Sequence, residues 1–123
     1  MTVLVTAFFL AGCKTVYTGP EMETQAVYSW MTLKATESRP ISVVNAAALK
    51  AMDDLGLTVT MKTADSLAGQ IIARDSQDQK ISVDLTAFTE NSTGVVIKAG
   101  AIGNEDKSRM IFKQIQTNLK MGK

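Results

Sequence analysis

The sequence contains no histidine and a single cysteine, Cys13. Zinc sites of cysteine and histidine, histidine-dependent acid–base catalysis and Ser–His–Asp triads are therefore excluded within one chain. A disulfide within the chain is excluded as well, because it needs two cysteines. The catalytic or metal chemistry that these absences leave open would use carboxylates alone.

An excess of charge of either sign is also lacking. The chain has 13 Lys+Arg and 12 Asp+Glu, which gives a formal net charge of +1. This balance supplies no long-range field that would gather nucleic acid or an acidic substrate, so we predict no nucleic-acid partner. The length of 123 residues indicates a single domain.

The N-terminal residues 1–12 carry no charge, and most of them form an apolar run. This run is too short to span a bilayer as a helix, which needs about 20 apolar residues, but it is typical of a signal-peptide core. It ends in Leu10, Ala11, Gly12 and Cys13, which resembles the lipobox of bacterial lipoproteins. The resemblance implies cleavage before Cys13 and acylation of its thiol and of its new amino group. A buried N-terminal strand with an incidental cysteine is the alternative.

The residues around this motif indicate in which membrane the protein is anchored. In enterobacterial lipoproteins an aspartate after the cysteine retains the protein in the inner membrane. By that resemblance, Lys14 implies a position at the outer membrane, facing the periplasm. A signal peptide begins with basic residues, and none is present here, so we expect translation to start upstream of Met1. Residues 13–25 are interpreted as the lipidated cysteine and a tether, with an edge strand as the alternative.

Residues 26–121 are predicted to form a single α+β domain. Alternating apolar residues predict five strands, at residues 26–36, 57–62, 67–75, 81–86 and 94–101. Apolar residues at spacings of three and four predict two helices, one at residues 40–55 with Ser38 as N-cap and one that begins after the N-cap Asn104.

The order β-α-β-β-β-β-α determines the expected architecture. Short connectors rich in turn-forming residues make the later strands antiparallel neighbours. The strands alternate between apolar and polar residues, so both helices should cover the same apolar face. We therefore predict a five-stranded, mostly antiparallel sheet of the helix-grip or TBP-like kind, with its other face open.

Several segments of the chain together resemble a family of small bacterial lipoproteins that is known only as a domain of unknown function. The resemblance covers roughly residues 30–120 and implies a fold but no activity. The segments are residues 51–59, 93–97 and 100–104, followed by Ser108, Ile111, Ile115 and Leu119. The strand and helix order is also similar to that of helix-grip domains in an outer-membrane assembly lipoprotein, at the level of fold alone.

The first predicted strand carries the candidate partner surface. Its residues Tyr28, Trp30, Thr32 and Lys34 share one face if residues 26–36 form a continuous strand. In that register both aromatic rings lie on the open face beside polar neighbours, an arrangement that often marks a binding surface. In the reversed register both rings belong to the core, and the sequence leaves the two registers open.

Two further patterns are interpreted as structural. Residues 100–103 precede a helix N-terminus, which can bind an anion, but Glu105 and Asp106 would repel one there. Asp75 and Asp78 have a spacing that occurs in calcium loops, yet the glutamate and glycine positions of an EF-hand are absent. We therefore predict neither a metal nor a cofactor.

These observations favour a membrane-anchored envelope lipoprotein with a non-enzymatic binding or scaffold domain. The expected partners are the lipid bilayer, through acylated Cys13, and an envelope protein or peptidoglycan. A self-associating structural protein of the envelope is the first alternative. An enzyme that uses carboxylates alone is the second and weaker one.

Overall fold

The computed structural model of the protein describes residues 26–121. The lipobox, Cys13 and the tether lie outside these described residues. The elements in chain order are β1 (Ala26–Ser29), β2 (Thr32–Glu37), α1 (Ile41–Asp54), β3 (Thr58–Ala64), β4 (Ala68–Arg74), β5 (Lys80–Thr89), β6 (Ser92–Ala99) and α2 (Glu105–Met121).

The strands form one six-stranded sheet in the order β1-β2-β6-β5-β4-β3. All neighbouring strands are antiparallel. The α+β class is confirmed, but the prediction of five strands is wrong. The predicted first strand, residues 26–36, is a hairpin of β1 and β2 that turns at Trp30 and Met31.

The backbone of this turn explains the missing strand. Trp30 has a φ angle of 50° and Met31 one of 66°. Positive φ at both central residues matches a type I′ turn, the two-residue turn whose twist suits a hairpin. Asn and Gly usually occupy these positions, and bulky residues rarely do. The sequence therefore contains no turn signal at the point where the chain reverses.

The core lies on one face of the sheet. The register aligns Leu33, Ile97, Val83 and Ile71 across β2, β6, β5 and β4, and all four side chains are buried. Both helices contribute to the same cluster of buried residues. Their buried apolar members are Val44, Ala47, Ala48, Ala51 and Met52 of α1 and Ile111, Phe112, Ile115 and Leu119 of α2. The two helices thus share one face, and no described helix covers the opposite, open face.

The helix ends follow the sequence in part. Pro40, rather than the predicted Ser38, is the N-cap of α1, and no side chain caps that end. The Asn104 side chain caps α2 as expected, since its Oδ1 accepts a hydrogen bond of 2.9 Å from the amide of Lys107.

Candidate functional site

The most exposed aromatic side chain of the described residues stands at the tip of the β1–β2 hairpin. Trp30 is 86% exposed, and the adjoining Met31 is exposed as well. Ile102, in the loop between β6 and α2, is 79% exposed. We call the group of Trp30, Met31 and Ile102 the hairpin end. Three large apolar side chains in contact with water are a feature of interaction surfaces.

The loop between β6 and α2 packs directly on the hairpin. Gly103 has a φ angle of 83°, and a Cβ atom at this position would lie 2.6 Å from the carbonyl oxygen of Met31. It would also lie 2.6 Å from the hydroxyl oxygen of Tyr28. Only glycine accepts both this backbone angle and this approach. The contact fixes the loop that carries Ile102 against the hairpin that carries Trp30.

The turn between β4 and β5 lies at the same end of the sheet. The carboxylate of Asp75 accepts hydrogen bonds from the amides of Gln77 and Gln79 and forms an ion pair with Lys107 of α2. The Lys107 ammonium group, followed by the amide of Gln79, lowers the pKa of Asp75. This ion pair holds the first turn of α2 against the β4–β5 turn, beside the hairpin end.

The structure separates the residues of the predicted partner surface. Tyr28 pairs with Leu33 and packs against the core, so it faces the helices rather than the open side. Trp30 occupies the turn, and Lys34 is exposed on the open face. Thr32 is half-buried, and its hydroxyl donates to the carbonyl oxygen of Ser29 at 3.2 Å. Their role in binding a partner stays a prediction.

Met31 and Ile102 are surface residues that the sequence did not single out. The sequence places Met31 inside a continuous strand and Ile102 in the loop of residues 100–103 before a helix. Periodicity cannot identify an apolar residue exposed in a turn, because a turn has no buried face to set the period. The signal that was available is the glycine at 103, whose spacing before α2 indicates a close backbone contact.

A cleft of about 510 Å³ opens at the opposite end of the sheet, beside the start of α1. Its ionisable groups are the carboxylates of Asp65 and Glu90. Asp65 accepts hydrogen bonds from the amides of Leu67 and Ala68, which lower the pKa of Asp65. This carboxylate therefore stabilises its own turn, and the residues that line the cleft include no basic side chain.

Within residues 26–121, no three or more Cys, Asp or Glu side chains are grouped so that they could hold a metal ion. No helix in that range has the length and apolar character needed to cross a membrane.

Comparison with known proteins gives one family. A family described as "Protein of unknown function (DUF3568)" matches residues 1–118. No curated protein matches the chain. The expected likeness to a family of unknown function is thereby confirmed, whereas lipid attachment stays a prediction.

Proposed function

The chain belongs to the DUF3568 family of unknown function, and from that premise we propose that it is a lipid-anchored binding protein of the bacterial envelope. Acylated Cys13 attaches the chain to the outer membrane, and the α+β domain faces the periplasm. The domain acts by binding rather than by catalysis, and the hairpin end is its contact surface.

The observation that carries this proposal is the conformation and exposure of Trp30. A residue other than glycine in the left-handed region costs roughly 1–2 kcal/mol. Trp30 and Met31 both adopt this region, yet Trp30 is 86% exposed and gains little burial in return. The turn itself requires positive φ, but Asn and Gly would adopt it at lower cost, so the presence of two bulky residues brings no structural gain. Strained positions of this kind cluster at functional sites. A contact made by Trp30 outside the domain would supply the missing gain.

The sequence of the N-terminal region supports attachment to the membrane. All charged side chains lie at Lys14 or later, directly after Leu10, Ala11, Gly12 and Cys13. Two or three acyl chains on Cys13 anchor a protein stably, whereas a single chain binds a bilayer only marginally.

Labelling with a palmitate analogue in a bacterial host tests the anchor. We expect label on the wild-type chain and none on Cys13→Ser, with the labelled protein in the outer-membrane fraction. Unlabelled wild-type protein, or equal labelling of both chains, would refute the anchor.

Photo-crosslinking in intact cells tests the contact surface. A photoreactive amino acid is placed at position 30 and, as a matched control, at position 67. Leu67 is also highly exposed, at 71%, but lies in the β3–β4 turn at the other end of the sheet. We expect crosslinks from position 30 and few from position 67. Equal crosslinking from both positions would remove the special role of the hairpin end.

A further inference from the structure

Four basic residues form a diagonal stripe across the open face of the sheet. Lys34 of β2 pairs with Val96, so Lys98 is its diagonal neighbour on β6. Lys98 pairs with Ser82, so Lys80 is its diagonal neighbour on β5. Lys80 pairs directly with Arg74 of β4. Diagonal neighbours on one face are about 7–8 Å apart, within reach of long side chains. We call these four residues the basic stripe.

The described carboxylates leave the basic stripe largely uncompensated. None of its four residues forms an ion pair with a residue in the range 26–121. Asp84 is the single carboxylate among the described strand residues of this face, and it accepts a hydrogen bond from Gln70 at 2.8 Å. Arg74 donates a hydrogen bond of 2.9 Å to the carbonyl oxygen of Asp78, so it contributes to the β4–β5 turn. Like charges placed side by side on a sheet are destabilising, so the grouping of the four cations does not itself stabilise the folded domain. Contact with an anionic surface outside the domain would make the grouping of these four cations favourable.

The basic stripe runs toward the hairpin end. Lys80 and Arg74 lie at the end of the sheet where the β1–β2 hairpin turns, and the amide of Gly100 donates to the carbonyl oxygen of Lys80. Glu105 and Asp106 follow Ile102 at the start of α2 and would repel lipid phosphates. Because α2 lies on the helix-covered side of the sheet, an orientation that turns the open face toward the bilayer keeps these two carboxylates on the far side. The molecule therefore presents cations and exposed apolar residues together along the edge where the open face meets the hairpin end.

We propose that the hairpin end and the basic stripe dock the domain on the anionic phospholipid surface of a bilayer. Trp30 and Ile102 enter the headgroup region, while Lys34, Lys98, Lys80 and Arg74 approach the lipid phosphates. Tryptophan favours this interfacial depth, and each basic residue near an anionic surface adds to the attraction. The proposal deepens the proposed function, since it names the bilayer itself as the partner of the contact surface.

The length of the tether is compatible with this arrangement. Thirteen peptide units join Cys13 to Ala26, which allows at most about 45 Å of fully extended chain. Ala26 begins β1, and the turn at Trp30 follows directly after that short strand. A domain anchored through Cys13 can therefore place its hairpin end on the same bilayer.

Lipid fits this surface better than nucleic acid does. Nucleic-acid surfaces combine basic residues with aromatic rings on which bases stack. Here Trp30 is accompanied by the aliphatic side chains of Ile102 and Met31, which suit acyl chains. Phe88, which is 59% exposed, lies over Gly94 on the open face, but no described aromatic side chain lies between the members of the basic stripe.

Vesicle binding of residues 14–123 tests the proposal, because this chain lacks both the acylated cysteine and the apolar run of residues 1–12, which would bind vesicles by itself. Trp30 is the only tryptophan of the sequence, so tryptophan fluorescence reports on the hairpin end alone. In vesicles that contain phosphatidylglycerol we expect a blue-shifted emission and quenching by brominated acyl chains. Pure phosphatidylcholine vesicles should give little of either, and added salt should weaken the response.

Charge reversal provides the matched comparison. Lys34→Glu with Lys98→Glu should lower the affinity for anionic vesicles at least about thirtyfold. Lys62→Glu with Lys113→Glu changes the net charge equally at exposed positions off the open face, and should lower it much less. Circular dichroism of each variant verifies folding. If a variant misfolds, the response of the Trp30 emission in the chain without charge reversal to anionic vesicles still tests the proposal.

Three results would overturn docking on lipid. They are an emission from Trp30 that anionic vesicles leave unchanged, equal losses in the two charge-reversal variants, and tight binding to an oligonucleotide without binding to vesicles. Because the chain of residues 14–123 lacks Cys13, each result is independent of palmitate labelling. Failure of the anchor and failure of docking are therefore distinguished.

Discussion

Gly103 lies so close to Met31 that a Cβ atom on the glycine would be 2.6 Å from the carbonyl oxygen of the methionine. The contact joins the loop before α2 to the turn of the first hairpin, two segments that are far apart in the sequence. It is also the contact that holds Ile102 and Trp30 at one end of the domain.

Gly103→Ala should destabilise the domain strongly. The left-handed backbone costs roughly 1–2 kcal/mol for alanine, and the forced displacement of Met31 adds about 1–3 kcal/mol. Gly56→Ala is the matched control, because Gly56 has a φ angle of 73° but no atom within 4 Å of the added Cβ. Urea unfolding of both variants measures the difference, which we attribute to the contact. Equal losses in the two variants would contradict a tight approach at Gly103.

Replacing the hairpin turn with a common turn sequence should stabilise the domain. Trp30→Asn combined with Met31→Gly places residues that readily adopt positive φ at both central positions. We expect the free energy of unfolding to rise by about 1–2 kcal/mol, as measured by thermal and urea unfolding.

The same variant should lose binding to anionic vesicles, as measured by co-sedimentation because it lacks the only tryptophan of the sequence. A gain in stability together with a loss of binding would separate the two roles of this turn. Trp30→Ala alone is the control. It removes the exposed ring but keeps two residues other than glycine at positive φ, so it should lose vesicle binding without the gain in stability. A fall in stability of the double variant would show that Trp30 and Met31 stabilise the fold. Their unfavourable conformation would then no longer argue for a binding role.

The sequence predicts the later elements of the fold well because their apolar periods are regular. The predicted helix at residues 40–55 is observed as Ile41–Asp54, and the strand at residues 67–75 as Ala68–Arg74. The first hairpin could not be predicted in this way. Its turn depends on positive φ at two bulky residues, so the local preferences of those residues oppose the conformation that tertiary contacts impose.

The basic stripe could not be predicted from composition. Its members lie far apart along the chain, and the net charge of +1 conceals their grouping. Strand register brings them together: Lys98 joins Lys80 only because Ser82 pairs with Lys98. Sequence reasoning placed Lys34 and Trp30 on one strand face, whereas the structure puts one on the open face and the other in the turn.

Asn118 should be important for the contact between the two helices. Its buried amide group donates to the carbonyl oxygen of Ala47 at 3.2 Å and to a carboxylate oxygen of Asp54 at 3.1 Å. Asn118→Ala removes both hydrogen bonds between the helices, although Gln114 and Lys50 still donate to Asp54, and we expect a loss of about 1–3 kcal/mol in the free energy of unfolding. Thr117→Ala is the neighbouring control, since its exposed hydroxyl returns only to Lys113 and its removal should cost below about 0.5 kcal/mol. A similar loss in both variants would refute a special role for Asn118.

The ion pair between Asp75 and Lys107 should make stability dependent on pH in the acid range. The Lys107 ammonium group and the amides of Gln79 and Gln77 lower the pKa of Asp75 from its ordinary value of 3.8. A carboxylate with a lowered pKa in the folded state stabilises the fold fully above its ordinary pKa, and this contribution is lost as the pH falls through the lowered value. The difference in unfolding free energy between the wild type and Asp75→Asn should therefore be constant near neutral pH and shrink below pH 3.8. Denaturant unfolding at a series of pH values measures it, with Asp78→Asn as the control for removing a carboxylate from the same turn. A wild-type advantage over Asp75→Asn that persists undiminished into strong acid would show that the charge of Asp75 does not hold this turn to α2.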